Sequence, residues 1–232
     1  MMKIAVVGSG ISGLGASYYL GKKHYVDLYE SDTRLGGHTH THKIQLEEEI
    51  NVDSGFIVFN DLNYPNLIQL FSELGVATAE TDMSFSVSSK NSTWSSNEFK
   101  KLSTFLKPTK LNFLKNIIKF NSAAKQNIAG ISFREWLANK NFKEEFVNDY
   151  VLPMAAAIWS TPMDKIGEYP VESMLAFLKN HGLLKLIDRP QWHFVKNGSA
   201  SYIDAIRETS NINNVFTGES PIINKSDKQW QL

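Results

Sequence analysis

Six residues near the start of the chain carry the clearest chemical signal. Gly8-Ser9-Gly10-Ile11-Ser12-Gly13 is a G-x-G-x-x-G pattern that directly follows the apolar run Ile4-Ala5-Val6-Val7. In such a turn the first glycine permits the tight bend, and the second lets backbone approach a pyrophosphate. The third lets the following helix pack closely on the strand. The helix start at Ile11 and Ser12 then offers unpaired N–H groups and the positive end of a dipole to phosphate oxygens. Glu30 lies 20 residues beyond Gly10, with Ser31 beside it. A carboxylate at that spacing accepts hydrogen bonds from ribose hydroxyls and disfavours a 2′-phosphate. The pattern predicts dinucleotide binding, against the plainer reading of a glycine-rich turn with an incidental surface glutamate.

Other constellations are weaker. His38, His40 and His42 alternate and would share one face of a strand, but no cysteine or paired carboxylate completes a metal site, and none is expected. Glu47-Glu48-Glu49 reads as a solvated hairpin turn. Residues 100–125 hold seven lysines and no acids, interleaved with Phe105, Leu111, Phe113, Leu114, Ile117, Ile118 and Phe120. Such a stretch suits peripheral contact with an anionic membrane, and suits better a surface helix whose apolar stripe faces a core. Small residues at Ala155-Ala156-Ala157 beside Trp159 leave room for a ligand. No Ser-His-Asp or Cys-His set marks a nucleophile, and no catalytic residue is assigned.

These residues need elements to hold them. Strand, turn and helix through Leu20, closed at Gly21, then a second strand over Tyr25–Tyr29 ending on Glu30, frame the phosphate turn. Ile44–Leu46 and Ile50–Val52 predict a hairpin, Pro65–Leu74 a helix stopped by Gly75, and 81–97 a second hairpin. From about 100 to 181 the text is helical, with Ser132 and Glu135 spaced as a capping box. Met174, Leu175, Phe177 and Leu178 mark a helix closed by Gly182. Strand-like text returns at Trp192–Val195, Val215-Phe216, Ile222-Ile223 and 229–232. The expected organisation is α/β: 1–60 as the first part of a dinucleotide-binding domain, 61–190 as an inserted helical substrate domain, and 191–232 returning to the first.

Arg34-Leu35-Gly36-Gly37 follows Glu30 with five residues between the glutamate and the glycine pair. Here the sequence resembles the flavin-containing amine oxidase superfamily, which includes protoporphyrinogen oxidase and the phytoene desaturases. Its members carry a fingerprint in which a glutamate precedes a glycine pair at this spacing. The likeness continues at Val52-Asp53-Ser54-Gly55-Phe56, similar to the segment running beside the isoalloxazine ring, and at Trp192–Val195 with Gly198-Ser199. Asn197 stands where members often carry the first glycine of a Gly-Gly-Ser. Pro221-Ile222-Ile223 is similar to the strand whose branched residue packs on adenine, and 53–60 and 153–159 resemble a bacterial amine-oxidase-like subgroup.

The resemblance implies a Rossmann-like FAD domain with an inserted, mainly helical substrate domain. It implies non-covalent FAD held by Gly8, Gly10, Ile11, Ser12, Gly13, Glu30, Ser31, Arg34, Leu35, Gly36, Gly37, His38, Thr39, Ser54, Gly55, Phe56 and Ile222. The implied reaction is hydride transfer to flavin from an organic, apolar or lipid-like small molecule. Members of the superfamily are longer and carry a late Gly-Asp motif that holds the ribityl chain. The sequence to Leu232 has none, so it is expected to be an N-terminal portion, its C-terminal part missing or supplied by a separate chain. Two rival readings stand beside this one: a non-catalytic or split dinucleotide-binding fragment, and an NAD-dependent dehydrogenase.

Composition fits this picture. The 232 residues are 42% hydrophobic and 21% charged with zero formal net charge, which argues against a nucleic-acid partner. The absence of cysteine excludes disulfides and a flavin tethered through a Cys thioether, and fits a reducing compartment. With no signal-peptide pattern or apolar run of membrane-span length, the expected location is the cytoplasm.

Overall fold

The structure is a computed structural model describing residues 1–89, 93–185, 189–221, 224–226 and 229–231. Its elements run β1 (Lys3–Val7), α1 (Ile11–Gly21), β2 (Tyr25–Glu30), β3 (Thr41–Gln45), β4 (Glu49–Asp53), β5 (Phe59–Asn60), α2 (Pro65–Leu74) and β6 (Thr78–Thr81). Next come β7 (Ser86–Ser88), β8 (Thr93–Ser95), α3 (Pro108–Ala123), α4 (Phe133–Asn139), α5 (Glu144–Phe146), a π-helical turn over Val147–Val151, α6 (Leu152–Trp159), α7 (Met163–Ile166) and α8 (Val171–Asn180). The last are β9 (Trp192–Val195), α9 (Ala200–Thr209), β10 (Ile212–Thr217), β11 (Asn224–Ser226) and β12 (Gln229–Gln231). The chain divides into two units, Met1–Thr81 with Gln191–Leu232, and Asp82–Pro190.

The first unit is built on a parallel sheet in the order β1-β2-β10. Val26 and Leu28 of β2 are fully buried, as a central parallel strand requires. Leu14 and Tyr18 of α1 pack with Tyr202, Ile203 and Ile206 of α9 and with Leu70 and Phe71 of α2. A second sheet, β5-β9-β6, is antiparallel.

The structure moves one boundary. The first segment of this unit runs to Thr81 rather than to 60. The reason is hydrogen bonding: β9 sits between β5 and β6, with Thr78 facing Val195 and Thr81 facing Trp192. Assigning α2 and β6 to the insertion would strip β9 of a neighbour and the core of Leu70 and Phe71. The helix α9 also goes beyond the strand-like reading of 191–232. Its buried Tyr202, Ile203 and Ile206 follow helical spacing inside an otherwise polar run.

In the second unit the apolar side of α3, through Phe113, Ile117 and Phe120, joins a core with Trp136, Phe146, Val151 and Met174. Its lysines are partly engaged. Lys110 pairs with Glu98 at 2.8 Å, and Lys119 donates to the carbonyls of Lys140 and Asn141 while lying over the Phe142 ring. Leu111 and Ile118 remain exposed on the outer side. At α4 only one half of the expected capping box forms, with the Glu135 N–H donating to Ser132 Oγ at 3.2 Å. The complete box is at Ser95 and Glu98. Among the described residues no helix is long and apolar enough to cross a membrane.

Candidate dinucleotide site

The phosphate turn forms because three backbone segments meet without side chains between them. A Cβ at Gly13 would lie 1.8 Å from the Gly8 carbonyl oxygen, so only glycine lets α1 pack against the turn. Gly10, by contrast, has nothing within 4 Å of its Cβ direction. That open side is where a ligand's backbone-bound phosphates can approach. The first intrahelical bond runs from Leu14 N–H to the Gly10 carbonyl, and no side chain caps the helix. The amides of the first turn, at exposed Ile11 and Ser12, therefore look outward.

Glu30 is buried at the end of β2, where four donors meet its carboxylate. Ser9 N–H and Ser9 Oγ donate to Oε2 at 2.7 and 2.5 Å; Asp32 N–H and Ser31 Oγ donate to Oε1 at 2.9 and 3.2 Å. These bonds, the Asp32 amide foremost, hold its pKa down to about 2 against the opposing effect of burial. Ser9 is a site residue that the motif left as an "x". Fully buried, it also accepts the Gly36 N–H on Oγ at 3.1 Å. One serine thus ties the turn, the acidic strand end and the glycine pair together.

The glycine pair closes on the turn from the other side. Gly36 N–H donates to the Ser9 carbonyl at 3.1 Å, and a Cβ on Gly37 would stand 2.9 Å from Gly10 Cα. Arg34 folds back over its own loop, donating to the carbonyls of Leu35, Gly37 and Thr39. These bonds shape the loop. Leu35 packs on the core, and buried Thr39 shares a 2.7 Å hydrogen bond with the Tyr202 hydroxyl.

The segment around Ser54 is brought to the same region. A Cβ on Gly55 would meet the His38 carbonyl oxygen at 1.7 Å, so the two chain segments are in backbone contact there. Phe56 packs against Phe59 and Tyr202, and Ser54 Oγ lies 2.9 Å from His42 Nε2. The His40 and His42 ring centroids lie 3.9 Å apart with the rings tilted by 38°, and partial burial, with His42 and Arg34 nearby, lowers the His40 pKa. Among the described residues no three His, Cys, Asp or Glu side chains gather as a metal site. Ile222 lies outside the described residues.

Sequence reading missed the clamp that holds this segment. Asp53 accepts the Ser199 N–H at 3.0 Å and the Ser199 hydroxyl at 2.9 Å, and Thr41 Oγ1 also donates to it. Thr41 Oγ1 in turn accepts Ala200 N–H at 2.9 Å, fixing the hairpin β3–β4 to the start of α9. The preceding residues Asn197 and Gly198 both have positive φ, 65° and 91°. Asparagine tolerates that conformation better than other non-glycine residues, which explains how it replaces a glycine here. Replacing Asp53 by alanine is expected to lower unfolding free energy by about 2 kcal/mol in a denaturant titration. An unchanged midpoint would show that the clamp contributes nothing.

A cleft of about 480 Å³ adjoins the glycine pair, lined by Arg34, Thr39, His40, Arg207, Val215 and Thr217 among others. A larger one, about 580 Å³, lies between α1 and α2 and shares only Ile11 with the site, so size alone does not point to the chemistry.

Comparison with known proteins agrees with this geometry. Residues 6–74 match the model of the NAD(P)-binding Rossmann-like domain family. No curated protein matches the sequence. Among solved structures, putrescine oxidase bound to putrescine is 20% identical with a TM-score of 0.64, over 94% of this chain and 51% of its own. Cyclohexylamine oxidase from Brevibacterium oxydans is 16% identical with a TM-score of 0.66, over 99% and 55%. An oxidoreductase from Methanosarcina mazei is 19% identical with a TM-score of 0.61, over 99% and 54%. The chain thus shares its fold with part of each of these structures, and it spans about half their length.

Proposed function

We propose that the chain is the dinucleotide-binding part of an FAD-dependent oxidoreductase of the amine oxidase and desaturase type. The observation that carries this reading is the apposition of Gly36-Gly37 on the Ser9-Gly10 turn. A second side-chain-free backbone segment against the first turn supports a pyrophosphate cradle longer than that turn alone offers. The residues present suit the cofactor. Uncapped amides at α1 meet the phosphates, and Glu30 faces the ribose, which would gain it by displacing the Ser31 hydroxyl, the longest of its four bonds. When bound, FAD accepts hydride at its own ring, and the protein supplies position and electrostatics. The Asp53–Ser199 clamp then keeps the Ser54–Phe56 segment in place beside the glycine pair.

Purified protein is expected to show flavin absorbance that is released on denaturation, and to take up added FAD in preference to NAD. Tight NAD binding with no FAD uptake would overturn the reading. The half-length match supports one further reading, a dinucleotide-binding chain that works with additional polypeptide. Bound flavin that no amine or apolar substrate reduces anaerobically would favour it.

A further inference from the structure

The second unit contains a cavity that the dinucleotide site does not use. It measures about 420 Å³, within the usual range of small-molecule pockets, and lies wholly between elements of residues 82–190. It is an open cleft lined mainly by apolar and aromatic side chains with a few polar groups, the character of a small-molecule site.

Its walls are built from identifiable sequence features. Pro153 supplies no N–H to the Asp149 carbonyl, and Trp94 Nε1–H donates to that carbonyl at 2.7 Å, anchoring β8 against the π-helical turn before α6. The turn sets Tyr150, Met154 and Ile158 on the cavity side of the helix. The alanines at 155–157, expected from sequence to leave room for a ligand, do not line it; Ala155 is buried in the core. Opposite stand Phe85, Trp94 and Phe99, with the Trp94 ring 5.7 Å from Phe85 and 5.4 Å from Tyr150. Aromatic rings at these distances favour an aromatic guest, which adds another edge or stacking contact.

The polar groups set the other end of the guest. Two charged side chains line the cavity, Asp82 and Arg189. Burial pushes the Tyr150 hydroxyl up to about 12, and the Arg189 charge partly offsets that rise. The phenol therefore stays a hydrogen-bond donor across the physiological range. The Arg189 Nε–H is given to the Lys185 carbonyl at 2.7 Å, so the two terminal nitrogens of the guanidinium are the ones that can take a carboxylate, end-on. We propose that this cavity binds an aryl-alkyl carboxylic acid, its ring among Phe85, Trp94, Phe99 and Tyr150 and its carboxylate toward Arg189 and the Tyr150 hydroxyl. The site needs no dinucleotide, so it stands or falls separately from the proposed redox function.

Calorimetric titration of the 232-residue protein with phenylpropionate, phenylpropanol and phenylpropylamine tests this. Phenylpropionate is expected to bind saturably with one site per chain, and the amine at least tenfold more weakly. Arg189→Gln, at an exposed position that leaves the core intact, should weaken phenylpropionate about tenfold or more, the equivalent of one charge-assisted hydrogen bond. Tyr150→Phe keeps the ring and should weaken it severalfold, and Met154→Trp should fill the space and abolish binding. Flavin content of the variants should match that of the parent. No saturable binding of phenylpropionate, tighter binding of the amine, or parent-like affinity in Arg189→Gln would each overturn the proposal.

Discussion

Replacing Gly13 by alanine is expected to destabilise the first unit by about 3 kcal/mol or more, the upper end of what overpacking costs, with a fall in melting temperature of roughly 10 °C. The new Cβ would stand 1.8 Å from the Gly8 carbonyl oxygen. That oxygen is backbone, at the tightest point of the turn, and cannot swing aside as a flexible side chain would. To make room, α1 must lift from β1, which loosens Leu14 and Tyr18 from their packing on Tyr202 and Ile206. The same movement displaces the uncapped amides proposed to meet the phosphates, so dinucleotide uptake should fail together with stability. Gly15 supplies the internal control. It lies two residues further along α1 with nothing within 4 Å of its Cβ direction, and Gly15→Ala should stabilise by about 0.5–1 kcal/mol through helix propensity. Thermal melts of the two variants should therefore move in opposite directions. A Gly13→Ala melt equal to the parent would mean that the turn is not packed as described.

Replacing Glu30 by glutamine should have the second largest effect, and the reason is charge rather than shape. The carboxylate accepts two donors from Ser9, one from Ser31 and the Asp32 amide. A glutamine amide has the same outline, yet its NH₂ group would face donors on one side and leave them unpaired. The expected loss is about 2–3 kcal/mol in unfolding free energy, with weaker ribose binding on top. A pH signature separates this from simple loss of packing. The pKa of Glu30 is depressed from 4.5 to about 2 in the folded protein. A depressed carboxylate contributes stability that is fully present above about 4.5, and that stability drains away as pH falls toward 2. Denaturant midpoints of the parent should therefore drop across that window, and those of Glu30→Gln should drop less. Parallel pH profiles would show that Glu30 is not the group responsible.

What sequence determined by itself was local, and its reach is physical. The phosphate turn, α1, β2, the hairpin β3–β4 and α2 were legible because each depends on spacing within a few residues. Gly8–Gly13 follows an apolar strand, Glu47–Glu49 separates two alternating runs, and Pro65 and Gly75 bound a helix. Glu30 was legible as an acceptor at the right distance along the chain. Only the tertiary structure showed that Ser9 and Asp32 already hold its oxygens, because that contact depends on how the turn folds back over the strand end.

Three further features were decided by packing between distant segments. Thr81 rather than 60 closes the first segment, since β9 needs partners on both sides and finds them in β5 and β6. Asp53 becomes a clamp because Ser199, 146 positions away, arrives with its amide and hydroxyl both pointing at it. The cavity of the second unit is lined by Met154 and Ile158 rather than by the alanines between them, because a π-helical turn ahead of Pro153 sets which face of α6 looks inward. Periodicity along a chain predicts that a helix has an apolar face. Which neighbour that face meets, and whether the fit leaves space, is decided only when the other elements arrive, because close packing is a property of pairs of surfaces and not of either one alone.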